Sequence, residues 1–276
     1  MTTAPATLIG VDFSSAPSRA KPIVLASGSL HGRVLRLDGV QRFATLAAFA
    51  DWLRQPGPWL GGFDLPFGLP RELVQHLGWP TDWAACMDHY AAQPRPALRD
   101  TFAAFCDARP AGQKFAHRAC DGPAGSSPSM KWVNPPVAWM LHAGLPLLRA
   151  AGVGLPAHQP PAELQGTDRL ALEAYPGLLA RELIGARSYK SDTAAKQTPD
   201  RLIARKDLLE ALEQGRSRLG LRLKLSAAQR DALADDARGD TLDAALCLVQ
   251  AAWAATRPGW GLPPGIDPLE GWIVSA

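Results

Sequence analysis

Residues 61–70 read Gly61-Gly62-Phe63-Asp64-Leu65-Pro66-Phe67-Gly68-Leu69-Pro70, one acid among apolar residues and turn formers. Residues 8–17, Leu8-Ile9-Gly10-Val11-Asp12-Phe13-Ser14-Ser15-Ala16-Pro17, do the same. In both, a buried-looking strand runs straight into an aspartate and then turns sharply. A lone carboxylate ending an apolar strand is costly to bury unless it is paired, hydrogen-bonded or bound to a cation. Two such strand ends raise the expectation that they share one cation.

Working outward from these strands, at Leu8–Phe13 and Trp59–Asp64, the pattern predicts two more at Ile23–Ala26 and Arg33–Leu37, divided by turn chemistry at Gly28 and His31-Gly32. Tight connections make the first three an antiparallel meander. Helical spacing follows over Phe43–Leu53, with Leu46, Phe49 and Leu53 on one stripe. Residues 71–108 read as helical with two Pro-containing breaks, and 109–136 as a long irregular segment of the kind that is usually functional or mobile. A helix over Val137–Ala151, a strand over Arg169–Ala174 and helices over Gly177–Ile184, Pro199–Gln214, Ser226–Ala237 and Thr241–Ala255 complete the pattern. Glu270–Val274 reads as a short edge strand. This alternation is that of an α/β chain with a mixed sheet.

The 276 residues are 47% apolar and 20% charged, an ordinary globular composition long enough for a substantial core. The net charge of +3 permits an anionic partner but is far weaker than the footprint of a dedicated DNA-binding module. Cys86, Cys106, Cys120 and Cys247 form no CxxC pair, which fits reduced thiols. Residues 1–12 carry neither a basic n-region nor a long apolar h-region, and no apolar run reaches the ~18 residues of a membrane span. The expectation is a cytoplasmic protein without membrane contact.

A third strand-end acid is Glu173, and a fourth group opens the late helix in Gly239-Asp240-Thr241-Leu242-Asp243-Ala244. Asp240 and Asp243, three apart, share a helix face beside the stripe of Leu242, Leu246, Val249 and Trp253. Their carboxylates would border the buried face. Set against the ends of the strands carrying Asp12 and Asp64, they would give hard divalent ions such as Mg²⁺ or Mn²⁺ the oxygen ligands these ions prefer. Two such ions roughly 3.5–4 Å apart activate a water and stabilise the leaving oxygen of a phosphodiester. Each acid has a plainer use: an Asx-turn from Asp12 to Ser14 or Ser15, a cap by Asp64 near Pro66, a capping box from Asp240 and Asp243. Taken together, at the ends of successive elements, they favour the metal.

The segments GVDFSSAP, GGFDLPFGLP, LEAYP and GDTLDAALCLVQAAW, in this order, resemble the predicted RNase H-like nucleases of domain-of-unknown-function family 429, and the closing EGWIV fits too. The resemblance runs from about Leu8 to Val274. It implies a single RNase H-like domain over 1–276, with a helical insertion at about 71–165 and a short C-terminal tail. Its sheet would have five strands, three antiparallel and two parallel, flanked by helices. It also implies a metal-dependent nuclease acting on a nucleic acid or nucleotide-like phosphodiester. In resolvases that share the fold, the metal acids lie on the first strand, the fourth strand and a D-x-x-D pair in the last helix. Matched by motif, these are Asp12, Asp64, Asp240 and Asp243, with Asp64 one methylene shorter than the glutamate found there. Glu173 falls on the family's own E-x-x-P element and is an extra ligand or base by the same resemblance. Catalytic work then falls to Asp12, Asp64, Glu173 and Asp243.

In the 109–136 segment, Lys114, His117, Arg118 and Lys131 stand beside Phe115 and Trp132, an interleaving suited to phosphate contact and base stacking, with a solvated, flexible lid as the plainer alternative. A second basic run, Lys190, Lys196, Arg201, Arg205 and Lys206, reads as a solvated helix face. Two rivals remain. An actin-like ATPase or phosphotransferase would use D-x-G-[ST] phosphate loops, but Ser14 stands at the glycine position and Leu65-Pro66 follow Asp64. A non-catalytic nucleic-acid-binding module on the same fold would bind without metal.

Overall fold

The computed structural model describes residues 7–276. Among them six strands form one mixed sheet: β1 (Thr7–Asp12), β2 (Ile23–His31), β3 (Val34–Phe43), β4 (Trp59–Asp64), β5 (Arg169–Glu173) and β6 (Arg222–Lys224), in the order β5-β4-β1-β2-β3-β6. β1, β2 and β3 are an antiparallel meander, while β4 runs parallel to β1, β5 parallel to β4 and β6 parallel to β3. The expected five strands are all present, and β2 and β3 run longer than their apolar cores. The sixth, β6, went unexpected although Leu221-Arg222-Leu223-Lys224-Leu225 alternates with the period of a half-buried strand. The closing segment does not form the expected edge strand. It contributes a single bridge, Ile273 to Glu173.

Strand alternation divides the core between the two faces of the sheet. Ile9, Val11, Phe13, Phe63 and Leu65 enter one cluster, whereas Leu8, Leu60, Leu172 and Ala174 enter the other. The first face is covered by α1 (Leu46–Leu53) and by helices from the 71–165 segment: α2 (Arg71–His76), α3 (Trp83–Ala92), α4 (Arg95–Asp107) and α6 (Val137–Ala150). The same segment contains a short α5 (Asp121–Ala124). The second face is covered by α7 (Pro176–Ile184), α8 (Pro199–Glu213), α9 (Ala227–Asp235) and α10 (Asp240–Ala255). Local signals fix several starts: Thr45 and Asp82 cap α1 and α3, and Ser226 with Gln229 forms a capping box at α9.

The contact that positions the site is between α10 and the strands β1 and β4. A Cβ on Gly10 would stand 2.1 Å from the Ala244 carbonyl oxygen, and one on Gly62 2.6 Å from that of Cys247. Gly10 and Gly62 are register partners. Two side-chain-free positions therefore let α10 lie directly on the sheet backbone, so the helix is buried almost all round, Thr241 to Ala252 without interruption. The expectation that its acids border the buried face fails for Asp243, which is fully buried.

Candidate active site

Asp12 and Asp64 are register partners at the C-terminal ends of β1 and β4. Each lies two residues beyond its glycine, so alternation turns both toward α10. Neither makes the Asx-turn or cap that is its plainer alternative: burial and neighbouring charges act on them, with no hydrogen bond. Burial pushes Asp12 well above the usual carboxylate range, and Asp243, Asp64 and Asp240 push the same way against Lys190. Asp64 is pushed up to about 7 by burial and by Asp243 and Glu173, again against Lys190. Two in-register carboxylates without donors are an energetic cost that a cation would relieve.

Asp243 faces them from the first turn of α10. It accepts a hydrogen bond from the Tyr189 hydroxyl at 2.5 Å and a charge-assisted one from the Lys190 ammonium. Asp240 lines the cavity beside Asp12 and is pushed up to about 6 by burial, Asp236 and Asp243. The capping box that is the plainer alternative for Asp240 and Asp243 is absent. Asp236 satisfies this helix start instead, accepting from Thr241 N at 2.9 Å and Gly239 N at 3.3 Å, with Gly239 in the left-handed conformation at φ 78°. Among the described residues, no three His, Cys, Asp or Glu side chains are gathered to hold a metal ion as they stand. The expected set of Asp12, Asp64, Asp240 and Asp243 is thus not preassembled, and its deepest member is engaged by Tyr189 and Lys190.

Lys190 is the residue that sequence reasoning misplaced. It precedes Pro199, the first residue of α8, so it lies in the 185–198 loop and not on a solvated helix face. That position ahead of a helix-initiating proline was the available signal. Burial alone would lower its pKa, but Asp243, Tyr189, Asp12 and Asp64 outweigh burial and hold the ammonium charged. Arg205, from the same run, is also buried. It donates to the carbonyls of Ala234 and Tyr189 at 2.6 and 2.7 Å and braces the loop.

Glu173 turns away from the other acids, although its charge acts on Asp64 and it lines a cavity with Asp64 and Lys190. Its register partner is Phe63, so it points to the opposite face from Asp64. There the Arg118 guanidinium grips it in a fork, Nη2 to Oε1 at 2.6 Å and Nη1 to Oε2 at 2.7 Å, and Phe67 N donates to Oε2 at 3.1 Å. Burial raises the Glu173 carboxyl and Arg118 opposes it, while the bidentate geometry marks an ionised pair. Glu173 is thus tied up by an ion pair, and Arg118 is buried and also pairs with Asp121, while both line that cavity at Asp64 and Lys190. The network fastens the irregular 109–136 segment to the sheet edge. Lys131 lies over the Phe115 ring, which packs against Trp132, and Lys114 is exposed. None of Lys114, Lys131 and Trp132 lines the cavities at Asp64.

Two cavities meet at the cluster. One, about 510 Å³, holds Asp12, Asp240, Lys21 and Arg238. The other, about 290 Å³, is walled by Tyr175, Val137 and Ser126. They share Asp64, Pro135, Met140 and Lys190. A third, of about 470 Å³, contains Arg71, Arg149 and His158. Its arginines already pair with Asp267 and Asp88, and burial pushes His158 down to about 3, hence neutral. No comparable convergence of acids occurs there, so we place the site at the carboxylates. No protein-family model, curated protein or solved structure matches the chain. No helix among the described residues is long and apolar enough to cross a membrane.

Proposed function

We propose that the chain is an RNase H-like, metal-dependent nuclease of the kind grouped in domain-of-unknown-function family 429. The observation that carries this reading is the register pair Asp12 and Asp64, unbonded at adjacent parallel strand ends and facing buried Asp243. The strand order β5-β4-β1-β2-β3 supports it, since the meander followed by two parallel strands is the arrangement the resemblance implies. β6 is an addition at the edge of β3.

The donor set suits Mg²⁺ or Mn²⁺: all-oxygen, anionic and partly enclosed. Asp12 and Asp64 would hold the ion, with Asp243 as third ligand once Lys190 yields and Asp240 at the rim. A bound ion supplies water activation and charge neutralisation at the phosphorus. The protein's part is positional. The strand ends fix two carboxylates side by side, and the glycine-seated helix fixes the third. Arg238 and Lys21, the latter paired with Asp192, give the larger cavity basic groups toward a phosphate backbone, and the smaller one offers an apolar wall beside Asp64.

The test is cleavage of short single strands, duplexes and branched DNA, and of RNA, with Mg²⁺ or Mn²⁺ and with EDTA. Divalent-dependent cleavage lost in Asp12→Asn is the expected result. No cleavage of any substrate under either metal would remove the nuclease reading, and binding that persists in EDTA would favour a non-catalytic module.

A further inference from the structure

Three buried or half-buried carboxylates meet one ammonium at this site, and that ammonium belongs to the most exposed of the four side chains. Lys190 keeps 42% of its side chain in solvent, whereas Asp243, its partner, keeps none. The backbone around it is anchored, because Tyr189 O accepts from Arg205 Nη1 at 2.7 Å and Ser191 N donates to Ala237 O at 3.1 Å. Its stem lies against Gly239, where a Cβ would come within 2.8 Å of Lys190 Cβ. Rotation of the side chain alone would carry the ammonium away from Asp243 without moving the loop, into space walled by both cavities.

We propose that Lys190 is a displaceable internal cation. In the metal-free protein it balances Asp243 together with Asp12 and Asp64, and a divalent ion must drive it off Asp243 to complete its ligand set. The inference rests on the metal reading of the same site and explains why the carboxylates are not gathered around a common point. Two cations that exclude one another at one site are linked: removing the internal one strengthens binding of the other. The arrangement makes metal occupancy conditional on a competitor supplied by the protein.

The experiment is calorimetric titration of Mn²⁺ into EDTA-stripped wild type, Lys190→Met and Lys190→Arg, with acetylation of Lys190 in wild type measured by peptide mass spectrometry with and without Mn²⁺. Lys190→Met is expected to bind Mn²⁺ about tenfold or more tightly than wild type, the size of an ordinary coupling between sites. Lys190→Arg, which keeps the charge, stays near wild type. Mn²⁺ is expected to raise Lys190 acetylation severalfold. Unchanged or weaker Mn²⁺ binding by Lys190→Met, with wild type still binding, overturns the proposal and leaves the metal reading standing. Absence of Mn²⁺ binding by all three proteins overturns both. The labelling needs no variant, so if Lys190→Met folds poorly, acetylation insensitive to bound Mn²⁺ still overturns the proposal.

Discussion

Gly10 and Gly62 are paired across β1 and β4, and both lie under the backbone of α10. The two missing side chains set the depth at which the helix rests, and with it the approach of Asp243 to Asp12 and Asp64. Gly10→Ala would push a methyl into the Ala244 carbonyl and the Leu248 amide, backbone atoms that cannot step aside. We expect a loss of about 1–3 kcal/mol or more in urea unfolding, the usual cost of overpacking, together with weaker Mn²⁺ binding as Asp243 is displaced. A variant of wild-type stability and Mn²⁺ affinity would mean that the helix seat does not govern the site.

Much of this was legible in the chain. Apolar runs ending in Asp12 and Asp64 marked two central strands, buried on both faces as their unbroken hydrophobicity implies. The late helix and its acids followed from 3.6-residue spacing. What the sequence hid was direction. Glu173 ends a strand as Asp64 does, yet it pairs with Phe63 and so turns to the other face. One residue of register separates a candidate ligand from the partner of an arginine. Arg118 and Arg205 looked like surface cations because their carboxylate and carbonyl partners lie far off in the chain or in other elements. Asp243 looked like a border residue because helical periodicity alone carries no information about the glycines beneath it.

The raised carboxyls give the metal-free protein a pH signature. Asp64 titrates at about 7 when folded, against 3.8 for a free aspartate. Between these values the folded state keeps a proton that the unfolded state has released, so stability falls as pH rises from about 4 to about 7 and levels off above that. Asp64→Asn lacks this proton, and its thermal midpoint should fall less across the same window. Mn²⁺ takes the deprotonated form, so its stabilisation should be greatest at the top of the window. Superimposable pH profiles of wild type and Asp64→Asn would show that Asp64 carries no such shift.

Asp12→Asn and Asp64→Asn should each abolish divalent-dependent cleavage while the protein stays folded. Each removes one charge from a crowded cluster, so the metal-free thermal midpoint should hold or rise. Mn²⁺ should then stabilise the variants less than wild type, since mass action rewards only ions that bind the folded state. Retained cleavage in either variant would take that residue out of the catalytic set.

Glu173→Gln separates a structural ion pair from a catalytic one. It breaks the fork to Arg118, and loss of one partner from a buried pair costs about 3–5 kcal/mol. The lower end is expected here, because Asp121 remains on the guanidinium. Cleavage per folded molecule should be unchanged. A stable but inactive Glu173→Gln would reverse the assignment and restore Glu173 as a base.

Asp240 and Asp243 sit on the same first turn but should behave differently. Asp243 is fully buried, accepts from Tyr189 and Lys190, and faces both strand-end aspartates. Asp243→Asn should abolish cleavage, weaken Mn²⁺ binding and cost about 1.5–3 kcal/mol, since it removes the charge from one buried and one part-buried hydrogen bond. Asp240 is partly exposed at the rim, and Asp236 already satisfies the helix start. Asp240→Asn gives up a favourable charge near the helix N-terminus, worth about 0.3–1 kcal/mol, but it also relieves repulsion from Asp236 and Asp243. Its stability in chemical denaturation should therefore stay close to wild type, and its Mn²⁺ affinity should fall by less than that of Asp243→Asn. Equal losses of affinity in the two variants would make Asp240 a full ligand and the set four carboxylates. Full Mn²⁺ affinity and cleavage in Asp243→Asn would leave only the strand-end pair, and the reading of α10 as the third side of the site would fall.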